Sequence, residues 1–176
     1  LISVLDLPNA DIRSVCDTAD TGADYLCNII YLVWEGEAYI LDVYYTQEPQ
    51  EKTEEETARR LDEYDVRKAK IESNNGGRAF ARNVERILWE KFKNRRCKVE
   101  WFHQTQNKEA RIKANSSFIN SHVYYPHNFK SKYKDYAKDM EKYQSGGKNE
   151  HDDGPDCTTM IAEDLAKKNK ATSLSR

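Results

Sequence analysis

Three short apolar runs near the start of the chain predict adjacent β-strands. Residues 25–34 (YLCNIIYLVW) and 38–46 (AYILDVYYT) are rich in β-branched and aromatic residues, which favour strands. The Glu-Gly-Glu turn at 35–37 between them predicts a hairpin. Residues 13–16 form a shorter apolar segment that leads into Asp17. Together the three segments predict an antiparallel meander.

Farther along the chain, helical and strand-like patterns alternate. Phe80, Val84, Ile87 and Leu88 recur at the spacing of an amphipathic helix. Similar patterns predict helices at 53–64, 78–92, 107–117, 129–143 and 156–168, and strands at 65–72, 97–103 and 122–125. The Asn-Asn-Gly-Gly segment at 74–77 predicts a turn. Three strands followed by alternating helices and strands is the order of an α/β, RNase H-like fold, in which helices flank a mixed central β-sheet.

The ends of the predicted helices carry their own signals. Thr53 followed by Glu56 matches a capping box at the start of the first helix. Pro155 suits the first turn of the last helix. The polar residues 169–176 predict a frayed tail.

Size and composition predict one domain without a membrane span. The chain has 176 residues, of which 38% are hydrophobic and 33% charged, and its mean hydropathy is −0.93. No apolar run reaches the roughly 18 residues that a membrane span needs. The start of the chain lacks a basic region, a cleavage site and an initiator Met, so we expect a fragment of a longer protein without a signal peptide. The four cysteines show no CxxC spacing, which predicts reduced thiols rather than a zinc or disulfide framework.

Charge is distributed unevenly along the chain. Residues 1–65 contain 16 acidic and 4 basic residues, a net charge of −12, whereas residues 66–148 contain 20 basic and 8 acidic residues, a net charge of +12. Residues 149–176 contain 6 acidic and 4 basic residues, a net charge of −2. A basic middle between acidic ends suggests a phosphate-binding surface near clustered carboxylates. A solvated charged surface is the alternative.

Three acidic segments lie where predicted strands end or helices begin. They are Asp17 after the first strand, Glu72 before the Asn-Asn-Gly-Gly turn, and the segment His151-Asp152-Asp153-Gly154-Pro155-Asp156 before the last helix. Because strand ends meet at one edge of an α/β sheet, these residues can converge. Carboxylates are preferred ligands of Mg²⁺ and Mn²⁺. Two such ions roughly 4 Å apart can clamp a phosphodiester, with Asp17 on the central strand as the bridging ligand.

Each segment also has a structural interpretation. Asp17 could belong to a plain turn, and Glu72 could be a charge at a strand end beside a hairpin signal. Asp152 and Asp153 could cap the last helix, because acidic side chains favour a helix N-terminus. His151 could be a surface histidine rather than a ligand or a group that orients water.

The order of these motifs resembles a known family, the C-terminal nuclease domain of the large terminase subunit of tailed bacteriophages and prophages. The matching segments are Asp17-Thr-Ala-Asp-Thr-Gly-Ala-Asp24-Tyr25, Ile71-Glu72-Ser-Asn-Asn-Gly-Gly77, Lys108-Glu-Ala-Arg111-Ile112 before a short strand that stops at Pro126, and His151-Asp152-Asp153-Gly-Pro-Asp156. The resemblance covers residues 12–168. No Gly-x-x-x-x-Gly-Lys-Ser/Thr loop occurs in these residues, so we expect them to lack the packaging ATPase that precedes this domain in such proteins.

The resemblance implies an endonuclease that cuts concatemeric viral double-stranded DNA with two Mg²⁺ or Mn²⁺ ions, in the cytoplasm of the bacterial host. By position, Asp17, Glu72 and Asp153 would form the metal triad. Asp152 competes with Asp153 for the third place, and Asp156 could help. The implied partners are DNA, the ATPase domain of the full-length chain, the small terminase subunit and the portal.

The basic segment then acquires candidate roles in DNA binding. Lys108, Arg111 and Lys113 would lie near the mouth of the site, and Arg78 and Arg82 at the start of the helix after Glu72, where they could bind phosphate. The Lys- and Tyr-rich helix at 130–143 is better explained as an exposed amphipathic helix than as a DNA contact.

Two other function classes remain open at this point. One is an RNase H-like module that binds DNA or a motor partner without cutting, which loss of the carboxylates would favour. The other is a junction resolvase or an integrase-type transferase, which would need a defined dimer or a second DNA-binding domain.

Overall fold

A mixed β-sheet forms the centre of the molecule. The computed structural model describes residues 11–19 and 24–173, with side chains for all of these except 75 and 167–173. Within these residues the sheet has six strands, β1 (Asp11–Asp17), β2 (Leu26–Trp34), β3 (Glu37–Thr46), β4 (Lys68–Glu72), β5 (Lys98–Phe102) and β6 (Val123–Tyr124). Their order across the sheet is β5-β4-β1-β2-β3-β6. β1, β2 and β3 form the predicted antiparallel meander, and β4, β5 and β6 join it through parallel pairings.

Helices cover both faces of the sheet. They are α1 (Gln50–Glu63), α2 (Gly77–Glu90), α3 (Lys108–His122), α4 (Phe129–Lys132), α5 (Lys134–Lys142) and α6 (Asp153–Ser173), and a 3-10 helix (Asn74–Gly76) precedes α2. Cys16, Ile30 and Ile71 point from the sheet into a core with α1 and α2. Val15 and Tyr31 point the opposite way, into a core with α5 and α6. The predicted α/β, RNase H-like architecture is thus confirmed.

The first helix begins differently from the prediction. α1 starts at Gln50, and Pro49 is its N-cap, whose carbonyl accepts from the backbone N–H groups of Lys52 and Thr53. The Thr53 hydroxyl donates to the Gln50 carbonyl, 3.0 Å away. The capping-box interpretation was therefore wrong, because Thr53 already lies within the first turn.

The basic segment after β6 forms two helices rather than the single helix predicted at 129–143. Tyr133 separates α4 from α5 with φ −122° and ψ 59°, values outside the helical region. Its buried ring packs into the core, and its hydroxyl lies 3.1 Å from the Asp42 carboxylate. The helix breaks there because Tyr133 turns inward to reach the sheet.

The last helix is longer than the sequence pattern suggested. α6 begins at Asp153, three residues before the predicted start, with Gly154 and Pro155 in its first turn. It continues to Ser173, through most of the expected tail. Residues 174–176, the first residues of the chain and Asp20 lie outside the described residues.

Two compositional expectations can be compared with the described part of the chain. All four cysteines are buried and free. Among the described residues, no helix combines the length and the apolar character that crossing a lipid bilayer requires.

Candidate active site

The acidic segments meet at one edge of the sheet. β1 and β4 are parallel neighbours paired through Cys16 and Ile71, and each strand ends at the next residue, Asp17 and Glu72. α6 begins at the same edge with Asp153. The resulting cleft has a volume of about 260 Å³ and is lined by Asp17, Thr18, Asp24, Glu72, Asn74, Gln104, Gln106, Lys108, Arg111, Asp152, Asp153 and Asp156. Segments from the start, middle and end of the chain therefore share one cleft.

The ammonium of Lys108 lies at the centre of these carboxylates. Its Nζ atom is 3.1 Å from Asp153 Oδ1 and 3.2 Å from Asp152 Oδ1. It is also 3.7 Å from Asp17 Oδ2 and from Asp156 Oδ2. Four carboxylates thus lie within 4 Å of one positive charge, which reduces their mutual repulsion.

Arg111 connects Glu72 with the rest of the cluster. Its NH1 atom is 3.2 Å from Asp156 Oδ1 and 3.9 Å from Glu72 Oε2, and its Nε donates to Glu163 Oε1 at 3.0 Å. The Arg111 side chain is only 1% exposed. The buried guanidinium therefore holds these carboxylates in place at the closed end of the cleft. Its burial contradicts the expectation that Arg111 binds phosphate at the mouth of the site.

Burial and crowding make two of the carboxyl groups, Asp17 and Asp156, hard to ionise. Desolvation raises the pKa of Asp17 well above its usual value; Lys108 opposes the rise, and neighbouring carboxylates add to it. Desolvation also raises the pKa of Asp156 to about 7, against the opposing effects of Arg111 and Lys108. For Lys108, burial lowers the pKa, but the carboxylates around it, Asp17 first, outweigh burial and raise it. Ionising these two carboxyl groups therefore costs free energy in the cleft as it stands, and further cations would lower that cost.

The donor set fits divalent cations. Asp17 Oδ2 and Asp156 Oδ1 are buried oxygens without a hydrogen bond, although each lies near a charged nitrogen. Such oxygens suit Mg²⁺ or Mn²⁺, which prefer carboxylate and water ligands. Among the described residues, no three His, Cys, Asp or Glu side chains form a preassembled coordination shell. The candidate carboxylate ligands nevertheless lie close to one another, around the Lys108 ammonium.

Backbone and amide groups orient two of the carboxylates. The backbone N–H of Tyr25 donates to Asp153 Oδ2 at 3.1 Å. Asn74 Nδ2 donates to Glu72 Oε1 at 2.7 Å and to the Gln104 carbonyl at 3.1 Å. Sequence reasoning missed these three positioning residues. Asn74 was assigned only to a turn, and its proximity to Gln104 depends on the β4–β5 pairing.

The glycine that begins α2 allows the helix to approach Glu72 closely. A Cβ atom added at Gly77 would lie 2.0 Å from the Glu72 carbonyl oxygen and 2.9 Å from Thr18 Oγ1. The preceding Gly76 has φ +106°, which disfavours other residues. The Asn-Asn-Gly-Gly segment is therefore a 3-10 turn into α2 that supports the end of β4, not a hairpin turn.

The remaining predicted residues lie around the cleft. Asp17, Glu72, Asp152 and Asp153 line it as expected, and their roles as ligands stay predictions. His151 lies beside the cleft, where its ring packs edge-on against Tyr25 at 4.9 Å, so no contact supports the ligand role assigned to it.

The predicted DNA-binding residues differ in exposure. Lys113 on α3 and Arg78 and Arg82 on α2 are exposed. Lys108 is instead engaged by carboxylates, with 36% of its side chain exposed.

Comparison with known proteins identifies the family. The model of the family described as "Terminase Bacteriophage T7, Ribonuclease H-like domain" matches residues 16–122, which is more than half of the chain. The chain belongs to this terminase RNase H-like family. The match includes Asp17, Glu72, Lys108 and Arg111, and α6 lies beyond it. No curated protein matches the chain.

Solved structures show the same fold as this terminase RNase H-like domain. The human cytomegalovirus terminase nuclease domain, soaked with Mn and bound to an inhibitor, matches with a TM-score of 0.60 and 11% identity, over 88% of this chain and 82% of that one. The large terminase of the thermophilic bacteriophage D6E matches with a TM-score of 0.56 and 10% identity, over 89% of this chain and 40% of that one. The fowlpox virus resolvase in complex with Holliday junction DNA matches with a TM-score of 0.53 and 15% identity, over 88% and 98%.

Proposed function

We propose that the chain is a metal-dependent endonuclease that cuts double-stranded DNA during genome packaging. The observation that supports this most directly is the convergence of carboxylates from β1, β4 and α6 in one cleft, four of them within 4 Å of the Lys108 ammonium. Membership of the terminase RNase H-like family agrees with it. Burial of like charges in one cleft is costly for a protein unless the cleft binds cations.

The chain's own residues would act as ligands and as supports for ligands. Asp17 at the end of the central strand would hold the ions together with Glu72 and Asp153. Asp152 has a half-exposed side chain, so it would be a more mobile ligand than the other three. When bound, the two divalent ions would activate a water molecule and stabilise the leaving oxygen of the phosphodiester.

Supporting residues would fix the directions of these ligands. Asn74 would keep Glu72 Oε1 in place, and the Tyr25 N–H would do the same for Asp153 Oδ2. Arg111 would restrain Asp156, which lies beside the triad and is 1% exposed. Such positioning matters because small displacements of ligands reduce metal affinity and activity.

Substrate contacts would come from the exposed basic residues. Lys113, Arg78 and Arg82 would bind the DNA backbone, which predicts little sequence preference. In the context of the family, the substrate would be concatemeric viral DNA in the host cytoplasm. The partners would be the packaging ATPase domain, the small subunit and the portal.

A plasmid-cleavage assay tests the nuclease proposal. We expect the chain to nick or linearise supercoiled plasmid in Mn²⁺ or Mg²⁺ and to leave it intact in EDTA. Asp17→Asn should reduce the cleavage rate at least about 100-fold, because changes at a metal site reduce activity on this order. Asp135→Asn, which neutralises an exposed carboxylate on α5, is the matched control and should cut like wild type.

Several results would contradict the nuclease proposal. Cutting in EDTA or by Asp17→Asn would exclude the metal mechanism. A wild-type chain that binds DNA but cuts nothing in either metal would favour a non-cleaving module. Because the fold is similar to that of the fowlpox resolvase, the assay should also include a four-way DNA junction as a second substrate. Preference for the junction over plasmid would favour a resolvase.

A further inference from the structure

An exposed tryptophan lies between two arginines at the edge of the sheet. Trp101 on β5 is 40% exposed, one of three exposed large hydrophobic residues among those described. The guanidinium carbons of Arg78 and Arg82 lie 5.8 and 5.9 Å from the centre of its ring. These distances are within the range of cation–π contacts. We call this surface the Arg78–Trp101–Arg82 patch.

Neither arginine has an acidic partner in the part of the chain that the structure describes. Both side chains are exposed, and no ion pair there includes them. Nearby, by contrast, Arg86 on the same helix pairs with Glu90 at 2.9 Å. Arg78 and Arg82 are four residues apart on α2, a rise of about 6 Å, so both can reach one strand of nucleic acid. Two unneutralised guanidinium groups thus flank one exposed aromatic face.

The patch adjoins the acidic cleft. Trp101 precedes Phe102, which is paired with Glu72, and the Phe102 carbonyl accepts from the Ser73 N–H at 2.8 Å. Arg78 directly follows Gly77, whose backbone packs on the Glu72 carbonyl. The patch therefore begins one residue from the β4–β5 end of the cleft, on the α2 face of the sheet.

We propose that the Arg78–Trp101–Arg82 patch binds a DNA strand with unpaired bases next to the cut site. Trp101 stacks on one base, and the two arginines bind the flanking phosphates. An unpaired strand fits better than a duplex, because bases inside a duplex are already stacked on both sides and offer no face to an indole. This inference deepens the proposed nuclease function and rests on it for the position of the cut.

The chain contains a matched control for this surface. Trp89 is 39% exposed, and the guanidinium carbon of Arg95 lies 5.0 Å from the centre of its ring. Trp89 lies on α2, eleven residues after Arg78, which corresponds to about 16 Å along the helix. It therefore offers the same chemistry at a greater distance from the cleft.

Binding in EDTA tests the patch separately from cleavage. We would measure the affinity of fluorescein-labelled oligothymidine, a duplex with a single-stranded tail and a blunt duplex by anisotropy. Trp101→Ala should weaken binding of oligothymidine and the tailed duplex about tenfold, because stacking on aromatic side chains contributes on this scale. Blunt-duplex binding should not change. Trp101→Phe should restore much of the loss, and Trp89→Ala should bind all three probes like wild type.

Salt dependence tests the arginines. Removing either Arg78 or Arg82 should reduce the slope of log affinity against log salt for oligothymidine by about 0.7, the value for one phosphate contact on a single strand. If Trp101→Ala weakened binding of the blunt duplex as much as binding of oligothymidine, the patch would instead bind the backbone of double-stranded DNA. No loss on any probe, or the same loss in Trp89→Ala, would overturn the proposal. Because these binding measurements are made in EDTA, they do not depend on cleavage, and a chain that fails to cut DNA could still show the predicted binding.

Discussion

At the scale of single residues, the balance of charge in the cleft is set by Lys108. Its ammonium contacts four carboxylates that otherwise face one another across a buried space. A bound divalent ion would have to occupy the same region, and two cations at one point repel. Lys108 therefore stabilises the cleft as it stands and, under the proposed function, would compete with metal for it.

This competition predicts opposite effects of one substitution. Lys108→Ala should lower the melting temperature in EDTA by several degrees, because the carboxylates lose their neutralising charge. The same change should tighten Mn²⁺ binding in calorimetry by about fivefold or more, in the range of typical coupling between sites. Lys113→Ala, on the exposed face of the same helix, is the control and should change neither quantity. Weaker Mn²⁺ binding by Lys108→Ala would contradict the idea of competition and would make Lys108 a support for the ions.

The raised pKa of Asp156 predicts how stability depends on pH without metal. Its folded value of about 7 lies above the unfolded value near 4, so the folded state binds the proton more tightly. Ionised Asp156 therefore destabilises the fold above pH 7, and this penalty disappears as the pH falls toward 4. Asp156→Asn should raise the free energy of unfolding in EDTA at pH 8 by about 1 to 3 kcal/mol, with a smaller gain at pH 5. Urea denaturation at the two pH values measures this; equal gains at both would exclude the titration of Asp156 as the cause.

At the scale of elements, the cleft depends on how closely α2 approaches the end of β4. Gly77 permits that approach, because any Cβ atom there would collide with the Glu72 carbonyl, a backbone atom that cannot rotate away. We expect Gly77→Ala to displace Glu72 and to reduce metal-dependent cleavage about tenfold or more, while the chain remains folded. Gly36→Ala is the contrast, because Gly36 lies in the β2–β3 turn with open space around it. Its positive φ costs stability, but cleavage by the folded fraction should be normal. Full activity of Gly77→Ala would show that the position of Glu72 tolerates movement of α2.

Much at this scale could be predicted from sequence, because local patterns determine it. The meander, the alternation of helices and strands, and the acidic residues at strand ends follow from apolar spacing and turn signals. The interruption at Tyr133 could not be predicted, because it depends on Asp42, a partner that the fold supplies. The start of α1 at Gln50 was missed because the Pro49 carbonyl, rather than the Thr53 side chain, caps the helix. The same holds for Arg111, whose burial among Asp156 and Glu163 reverses the exposed role that its charge suggested.

At the scale of the whole molecule, the candidate site exists only when α6 docks on the sheet. Asp164 of α6 fixes this docking from a buried position. Its carboxylate accepts from Arg13 NH1 of β1 at 2.6 Å and from the Tyr31 hydroxyl of β2 at 2.9 Å, and it also pairs with Lys70 of β4. The same helix supplies Asp153 and Asp156 to the cleft. One buried carboxylate thus connects three strands to the helix that completes the site.

The pKa of Asp164 shows which protonation state holds the molecule together. Burial favours the neutral acid, but hydrogen bonds and charge from Lys70 and Arg13 prevail and lower the pKa to about 2. Because the unfolded value is near 4, the ionised carboxylate stabilises the fold above pH 4, and this contribution is lost as the pH falls from 4 toward 2. Asp164→Asn should therefore cost about 3 kcal/mol at pH 7, since it leaves Lys70 without its carboxylate partner and Arg13 with Asp11 alone.

The difference between Asp164→Asn and wild type should shrink as the pH is lowered from 4 toward 2, because the Asp164 carboxyl of the wild type takes up a proton over that range. Urea denaturation across this range measures the difference, and Asp135→Asn on the exposed surface of α5 gives the background of an ordinary carboxylate. A constant difference would mean that Asp164 acts by packing rather than by charge. If charge holds α6 on the sheet, Asp164→Asn should also bind Mn²⁺ more weakly, although Asp164 does not line the cleft. Such a loss would separate the residues that bind metal from the residue that brings their elements together.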